Sequence, residues 1–166
     1  MSGLGVYSDE ATMARRKRQT IAMQVGLNLT FDFLLPKEDR IPDWVLERDD
    51  TFFAFFAGYL DAEGYIRAYL PKRYRTWQPQ LEIRSYDAVL LEQLSAGLND
   101  RGIPCIHAHV CVAAGYTNSR GVKSNCALWR IGLSARASLR SLFENIDPYV
   151  RHALRRRQML DAWRIL

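Results

Sequence analysis

Residues 52–70 read Phe52-Phe53-Ala54-Phe55-Phe56-Ala57-Gly58-Tyr59-Leu60-Asp61-Ala62-Glu63-Gly64-Tyr65-Ile66-Arg67-Ala68-Tyr69-Leu70, and two periodicities meet inside them. Through Leu60 the chain is bulky and apolar on nearly every side, with Ala54, Ala57 and Gly58 as small exceptions. Asp49-Asp50-Thr51 offers N-cap chemistry ahead of this run and Gly64 a stop behind it, which predicts a helix from Phe52 to Ala62. After Gly64, the apolar Ile66, Ala68 and Leu70 alternate with Arg67 and Tyr69, the period of a strand with one covered face. A helix apolar almost all round is a buried helix, here between two subunits or two halves. Its small residues let another backbone approach closely. Its last turn carries two carboxylates, Asp61 and Glu63, at the end where the helix dipole disfavours them. Something must offset that charge, and a divalent cation would do so.

Outward from this stretch the pattern repeats. Leu81 and Ile83 alternate with Gln80, Glu82 and Arg84, and the basic run Pro71 to Thr76 reads as the hairpin loop. Asp87 to Asn99 is predicted helical, with Val89, Leu90, Gln93/Leu94 and Leu98 at helical spacing and Arg101-Gly102 as its end. Strands are predicted at Cys105–Ala114 and Asn125–Leu133, then helices from Ala135 to Asn145 and from Pro148 onward. The fold class expected is α+β, with helices packed on one face of a four-stranded antiparallel sheet. The other face then carries Arg67, Tyr69, Gln80, Glu82, Arg84, His107, His109 and Arg130 toward solvent or a ligand. Upstream, residues 1–14 are expected to lack fixed structure, and Val25, Leu27, Leu29, Phe31 and Phe33 alternate like a strand. A short helix at Pro42 is expected to carry Trp44 and Val45 inward. The domain reading is an N-terminal extension over 1–50, packing on the core or on a partner subunit, and a single domain over 51–166.

Composition narrows the partner. The 166 residues suit one domain, and 48% hydrophobic with 25% charged content excludes a wholly disordered chain. The longest nearly apolar run, Phe52 to Leu60, is far short of a membrane span, and no secretory signal is read. Three cysteines without framework spacing point to a reducing, cytosolic setting. Residues 1–50 hold seven basic and nine acidic side chains, whereas 51–166 hold sixteen and nine. Nineteen of the 23 basic residues are Arg, whose planar fork suits phosphates and guanine edges. An Arg-weighted basic body argues for nucleic acid. Cys105, His107, His109 and Cys111 alternate along one predicted strand and imitate a zinc quartet. Same-face strand neighbours lie nearly 7 Å apart, so four of them cannot share one ion. Base-facing histidines and thiols are the expectation instead.

The segment Ala57 to Gly64 resembles the signature of the LAGLIDADG homing endonucleases, with Ala57, Gly58, Asp61, Ala62 and Gly64 matching and Glu63 replacing the second Asp. The element order after residue 51 is similar to that family's αββαββα domain. Ala96 to Gly102 imitates the motif, but Arg101 stands where the acid should be. With one motif, the resemblance implies a homodimer whose seam uses Ala54, Ala57, Gly58 and Asp61. It implies Mg²⁺ at Glu63, with Asp61 tuning the helix end, and Ser85 and Arg155 ordering the attacking water. Arg cannot surrender its proton, so Arg155 would act electrostatically. A solvated or phosphate-touching face for Arg155-Arg156-Arg157 stands as an equal alternative. The resemblance further implies double-stranded DNA as partner, with Arg67, Gln80, Arg84 and Arg130 as the best base readers. Tyr69, Glu82, His107 and His109 share that face, and Lys72, Arg73, Arg75, Arg120 and Lys123 lie on the loops at its ends. The implied activity is metal-dependent double-strand cleavage of a long pseudo-palindromic site with short 3′ overhangs. An intron-encoded origin is expected from the free-standing Met1, and a cytoplasmic or organellar-matrix location. An intron maturase binding RNA, or a non-cleaving DNA-binding regulator, are the rival readings.

Overall fold

The computed structural model describes residues 39–72 and 75–166, and the backbone alone of 5–7 and 22–24. The alternation from Val25 to Phe33 and the loop residue Arg73 lie outside the described residues. The chain divides into two compact units, Met1–Glu38 and Asp39–Leu166. In the first, β1 (Gly5–Tyr7) pairs antiparallel with β2 (Ala22–Gln24), a ribbon that the composition of residues 1–14 did not announce. Its register sets Gly5 opposite Gln24, Val6 opposite Met23 and Tyr7 opposite Ala22.

The second unit runs α1 (Asp43–Leu46), α2 (Asp49–Glu63), β3 (Gly64–Tyr69), β4 (Gln78–Ser85), α3 (Ala88–Asp100), β5 (Ile106–Val112), β6 (Leu128–Leu133), α4 (Arg136–Ile146) and α5 (Ala153–Trp163). The four strands form one antiparallel sheet in the order β3-β4-β6-β5. This is the expected α+β class with αββαββα order. The core is the covered face of that sheet, Ile66, Leu81, Ile83, Ile131 and Leu133, against Phe52, Phe56 and Leu60 of α2, Leu91 and Leu94 of α3, and Leu142 and Phe143 of α4. Among the described residues no helix is long and apolar enough to cross a membrane.

Helix α2 starts earlier than expected. Its N-cap is Arg48, which makes no side-chain capping bond, and Asp49 and Asp50 sit in the first turn, where their charge favours the helix N-terminus. At the other end no loop intervenes: Gly64 closes on the Leu60 carbonyl and is already the first residue of β3. Its backbone is ordinary extended, so glycine is needed for room and not for conformation; a Cβ there would overlap the Leu60 side chain and carbonyl. Gly97 serves α3 in the same way, because a Cβ would meet the Phe52 ring. Arg101 lies over that ring at 4.1 Å and bonds Asp49 and the Leu46 carbonyl, so the motif-like segment Ala96–Gly102 is a helix packing against α2 and then ending.

Several expectations need correcting. Trp44 is 63% exposed while its neighbours Ile41 and Val45 are buried, since a helix of one turn can cover only one side. Val89 is 47% exposed; the buried stripe of α3 is Leu90, Leu91, Leu94 and Leu98. Strand β3 ends at Tyr69, leaving Leu70 exposed. The last helix begins at Ala153 and not at Pro148, because the segment before it is held by a contact with the end of α2.

The acidic cleft and the open face of the sheet

Two carboxylates leave α2 together and meet different fates. Asp61 Oδ2 accepts the backbone N–H groups of Arg151 at 2.7 Å and His152 at 2.9 Å, just ahead of α5. Two oriented amides thus offset one unfavourable charge, and Asp61 fastens the last helix to the motif helix. Its Oδ1 is buried and has no partner among the described residues. Glu63 is exposed and makes no hydrogen bond or ion pair among the described residues. It lines a cleft of about 250 Å³ with Tyr65, Glu82 and Arg84. The acidic helix end therefore opens directly onto the sheet.

Register explains why. Tyr65 pairs with Glu82, Arg67 with Gln80 and Arg84 with Arg130, so these side chains share the face that the helices leave open. They form one connected chain. Arg67 lies over the Tyr69 ring at 4.3 Å and donates to Gln80 Oε1 at 2.6 Å. Gln80 reaches Glu82, whose carboxylate holds Arg84 and, at 3.6 Å, Arg130. Arg130 donates to His109 Nε2 at 2.9 Å, while His109 Nδ1 lies 3.0 Å from the His107 carbonyl. Arg67, Tyr69, Arg84 and His107 are exposed, and Gln80, His109 and Arg130 half-buried. At the sheet ends Lys72, Arg75, Arg120 and Lys123 are exposed, the last two on a loop ordered by Asn118, whose side chain accepts the N–H groups of Arg120 and Val122.

The alternation assumed for β5 is broken by two bulges, between Ile106 and His109 and between Val110 and Val112. Cys105 consequently lies on the covered side, and burial pushes its thiol up to about 11, which removes it from any base-facing role. Among the described residues no three His, Cys, Asp or Glu side chains gather as a metal cluster. Ser85 is buried, accepting from the Tyr59 hydroxyl at 2.8 Å and bonded to Asp87, so its hydroxyl is already engaged. Burial, with the Asp87 and Glu63 charges adding to it, raises the Tyr59 phenol above its ordinary range. Arg155 is half-buried, with Nη1 on Gln158 at 3.1 Å and a buried Nε that has no partner among the described residues. It does not line the Glu63 cleft, and Arg156 and Arg157 line a separate one along α5. Arg84 and Tyr65 stand beside Glu63 instead. Tyr65 carries no composition signal of its own; its place follows from the strand beginning at Gly64, which makes Tyr65 the second strand residue and sets it opposite Glu82.

Of the four residues named for a seam, Ala57 is fully buried in its own core, so it offers no outer surface. Ala54 and Asp61 are half-buried, and Gly58 is exposed, with open space where a Cβ would stand.

The cleft can accept a hard cation. Glu82 is occupied by arginines, so among the described residues lining the cleft Glu63 is the one free carboxylate. Mg²⁺ suits that economy, since it keeps several waters and binds through one or two carboxylates plus phosphate oxygens.

No family model and no curated protein matches the chain. Among solved structures it is similar to the homing endonuclease I-CvuI in complex with its target in the presence of Ca, at 20% identity and a TM-score of 0.49, over 68% of this chain and 63% of that one. It is similar to the archaeal intron-encoded homing endonuclease I-Vdi141I complexed with DNA, at 17% identity and 0.47, over 69% and 66%. The LAGLIDADG homing endonuclease I-GzeII in complex with its DNA target matches at 22% identity and 0.38, over 58% and 28%. The match thus spans less than two thirds of each of these chains.

Proposed function

We propose that the chain is a site-specific DNA endonuclease that works as a homodimer, reads double-stranded DNA with the open face of its sheet and cuts it at the Glu63 cleft. The observation that carries this reading is that an unpaired acid, Glu63, shares one cleft with Arg84 and Glu82, at the border of an Arg, Gln, Tyr and His surface. A pure binder gains nothing from a free carboxylate beside phosphates. The exposed Gly58 and half-buried Ala54 of α2, together with the exposed Tyr86, support a second copy as the partner that brings another Glu63.

In this reading Arg67, Gln80, Arg84 and Arg130 meet base edges in the major groove, where Arg pairs with guanine and Gln with adenine. Lys72, Arg75, Arg120 and Lys123 meet phosphates and set the register. Glu63 holds the divalent cation, which when bound supplies an activated water and charge neutralisation. Asp61 positions the last helix and holds no cation, and an encoding intron fits the same reading.

The test is incubation of the protein and of Glu63→Gln with Mg²⁺ and a library of intron-free gene junctions, followed by sequencing of new ends. Double-strand cuts at one long site, reduced at least about a hundredfold in the variant, support the reading. Tight DNA binding without cuts, unchanged by the substitution, moves the function to a regulator; preference for intron RNA moves it to a maturase.

A further inference from the structure

Arg84 and Arg130 are direct cross-strand partners on the open face. Like charges placed opposite each other destabilise a strand pair, and nothing in their own chemistry would hold them side by side. Glu82 does. It is 7% exposed although it points to the open side, and its carboxylate bonds Arg84 with one oxygen and faces Arg130 at 3.6 Å with the other. Its cross-strand neighbours are Tyr65 and Gly132. Two arginines have thereby been folded over one acid, which buries it.

We infer that Glu82 is a positioning residue that touches no base and sets sequence preference by holding Arg84 and Arg130 as a pair aimed at guanines of neighbouring base pairs. The inference rests on the proposed DNA-reading function. A carboxylate in a phosphate-facing surface lowers affinity for any duplex, so its presence there is explained only if it gains selectivity. Freed of Glu82, each guanidinium swings to the nearest phosphate. Phosphate contacts carry no sequence information, so the protein would bind more duplexes and distinguish fewer.

The experiment compares wild type, Glu82→Gln and Glu82→Ala on a pool of duplexes with a randomised core, and measures affinity for a guanine-free alternating A·T duplex at fixed salt. Wild type is expected to enrich guanine at two neighbouring positions. Both variants should lose about 5- to 150-fold of that discrimination, the worth of one to two weakened pairings, while binding the A·T duplex several-fold more tightly. If Glu82→Ala unfolds, the isosteric Glu82→Gln, checked by its melting curve, carries the decision. Unchanged guanine preference in a folded variant overturns the inference, and so does an equal loss of binding to both kinds of duplex, which marks a structural role. A wild-type protein that enriches no sequence overturns DNA reading itself, and this inference with it; the wild-type arm keeps the two failures apart.

Discussion

The two faces of the sheet are held by different physics. Beneath the helices, Leu81, Ile83, Ile131 and Leu133 are almost completely removed from water and their order comes from close packing. On the open side, a chain of hydrogen bonds and ion pairs from Tyr69 through Arg67, Gln80, Glu82 and Arg130 to His109 does the ordering. One face sets stability, and the other holds geometry at little cost in free energy. A polar face can therefore be rewritten residue by residue while the fold beneath it stays.

The widest gap between the faces should appear on truncation. Leu81→Ala is expected to cost about 2–5 kcal/mol in urea unfolding, since it leaves a cavity in the centre of the core. Arg67→Ala, on the open face and paired with Gln80 beside Leu81, should stay within about 1 kcal/mol. Equal costs would erase the division.

The next contrast is in pH. Cys105 is on the covered side, and burial raises its thiol from 9.0 to about 11. Below pH 9 both folded and unfolded chains keep the proton, and the contribution is complete. Between pH 9 and about 11 the unfolded chain ionises first, so stability should fall by roughly 2 kcal/mol, and the dip should shrink in Cys105→Ala. In thiol labelling at pH 8, the exposed Cys126 should react well before Cys105. Similar labelling rates would show that the covered face is open to solvent.

The smallest effect separates the two acids at the end of α2. Asp61→Ala removes the acceptor of two backbone amides and should cost about 1–3 kcal/mol, with faster amide exchange at residues 147–153. Glu63→Gln should change stability by no more than about 0.5 kcal/mol while removing activity. If both substitutions unfold the chain alike, Glu63 is a structural acid and the cleft is not a site.

Much of this was legible in the chain. The period switch at Gly64 located α2 and β3, and alternation at Leu81 and Ile83 located β4 and the open face. What escaped has a common cause, interaction over long sequence distance. No local signal announces that Asp61 will tie down residues 151 and 152, or that Arg84 and Arg130 will close over Glu82. The bulges of β5 are equally silent, since a bulge changes pairing and not composition, and they moved Cys105 off the face that simple alternation gave it. Ser85 was rightly placed at a strand end, but its bonds to Tyr59 and Asp87 depend on where a helix 26 residues away passes.

Because α2 passes into β3 with no residue between them, Glu63 and the strand that follows move as one piece. An insertion at this junction would turn every side chain of β3 to the opposite face. Under the proposed function, the interval in base pairs between a cut and the bases read beside it would then be a constant of the fold. Such an endonuclease would acquire new targets by exchanging letters within a frame of fixed length, and never by sliding the frame.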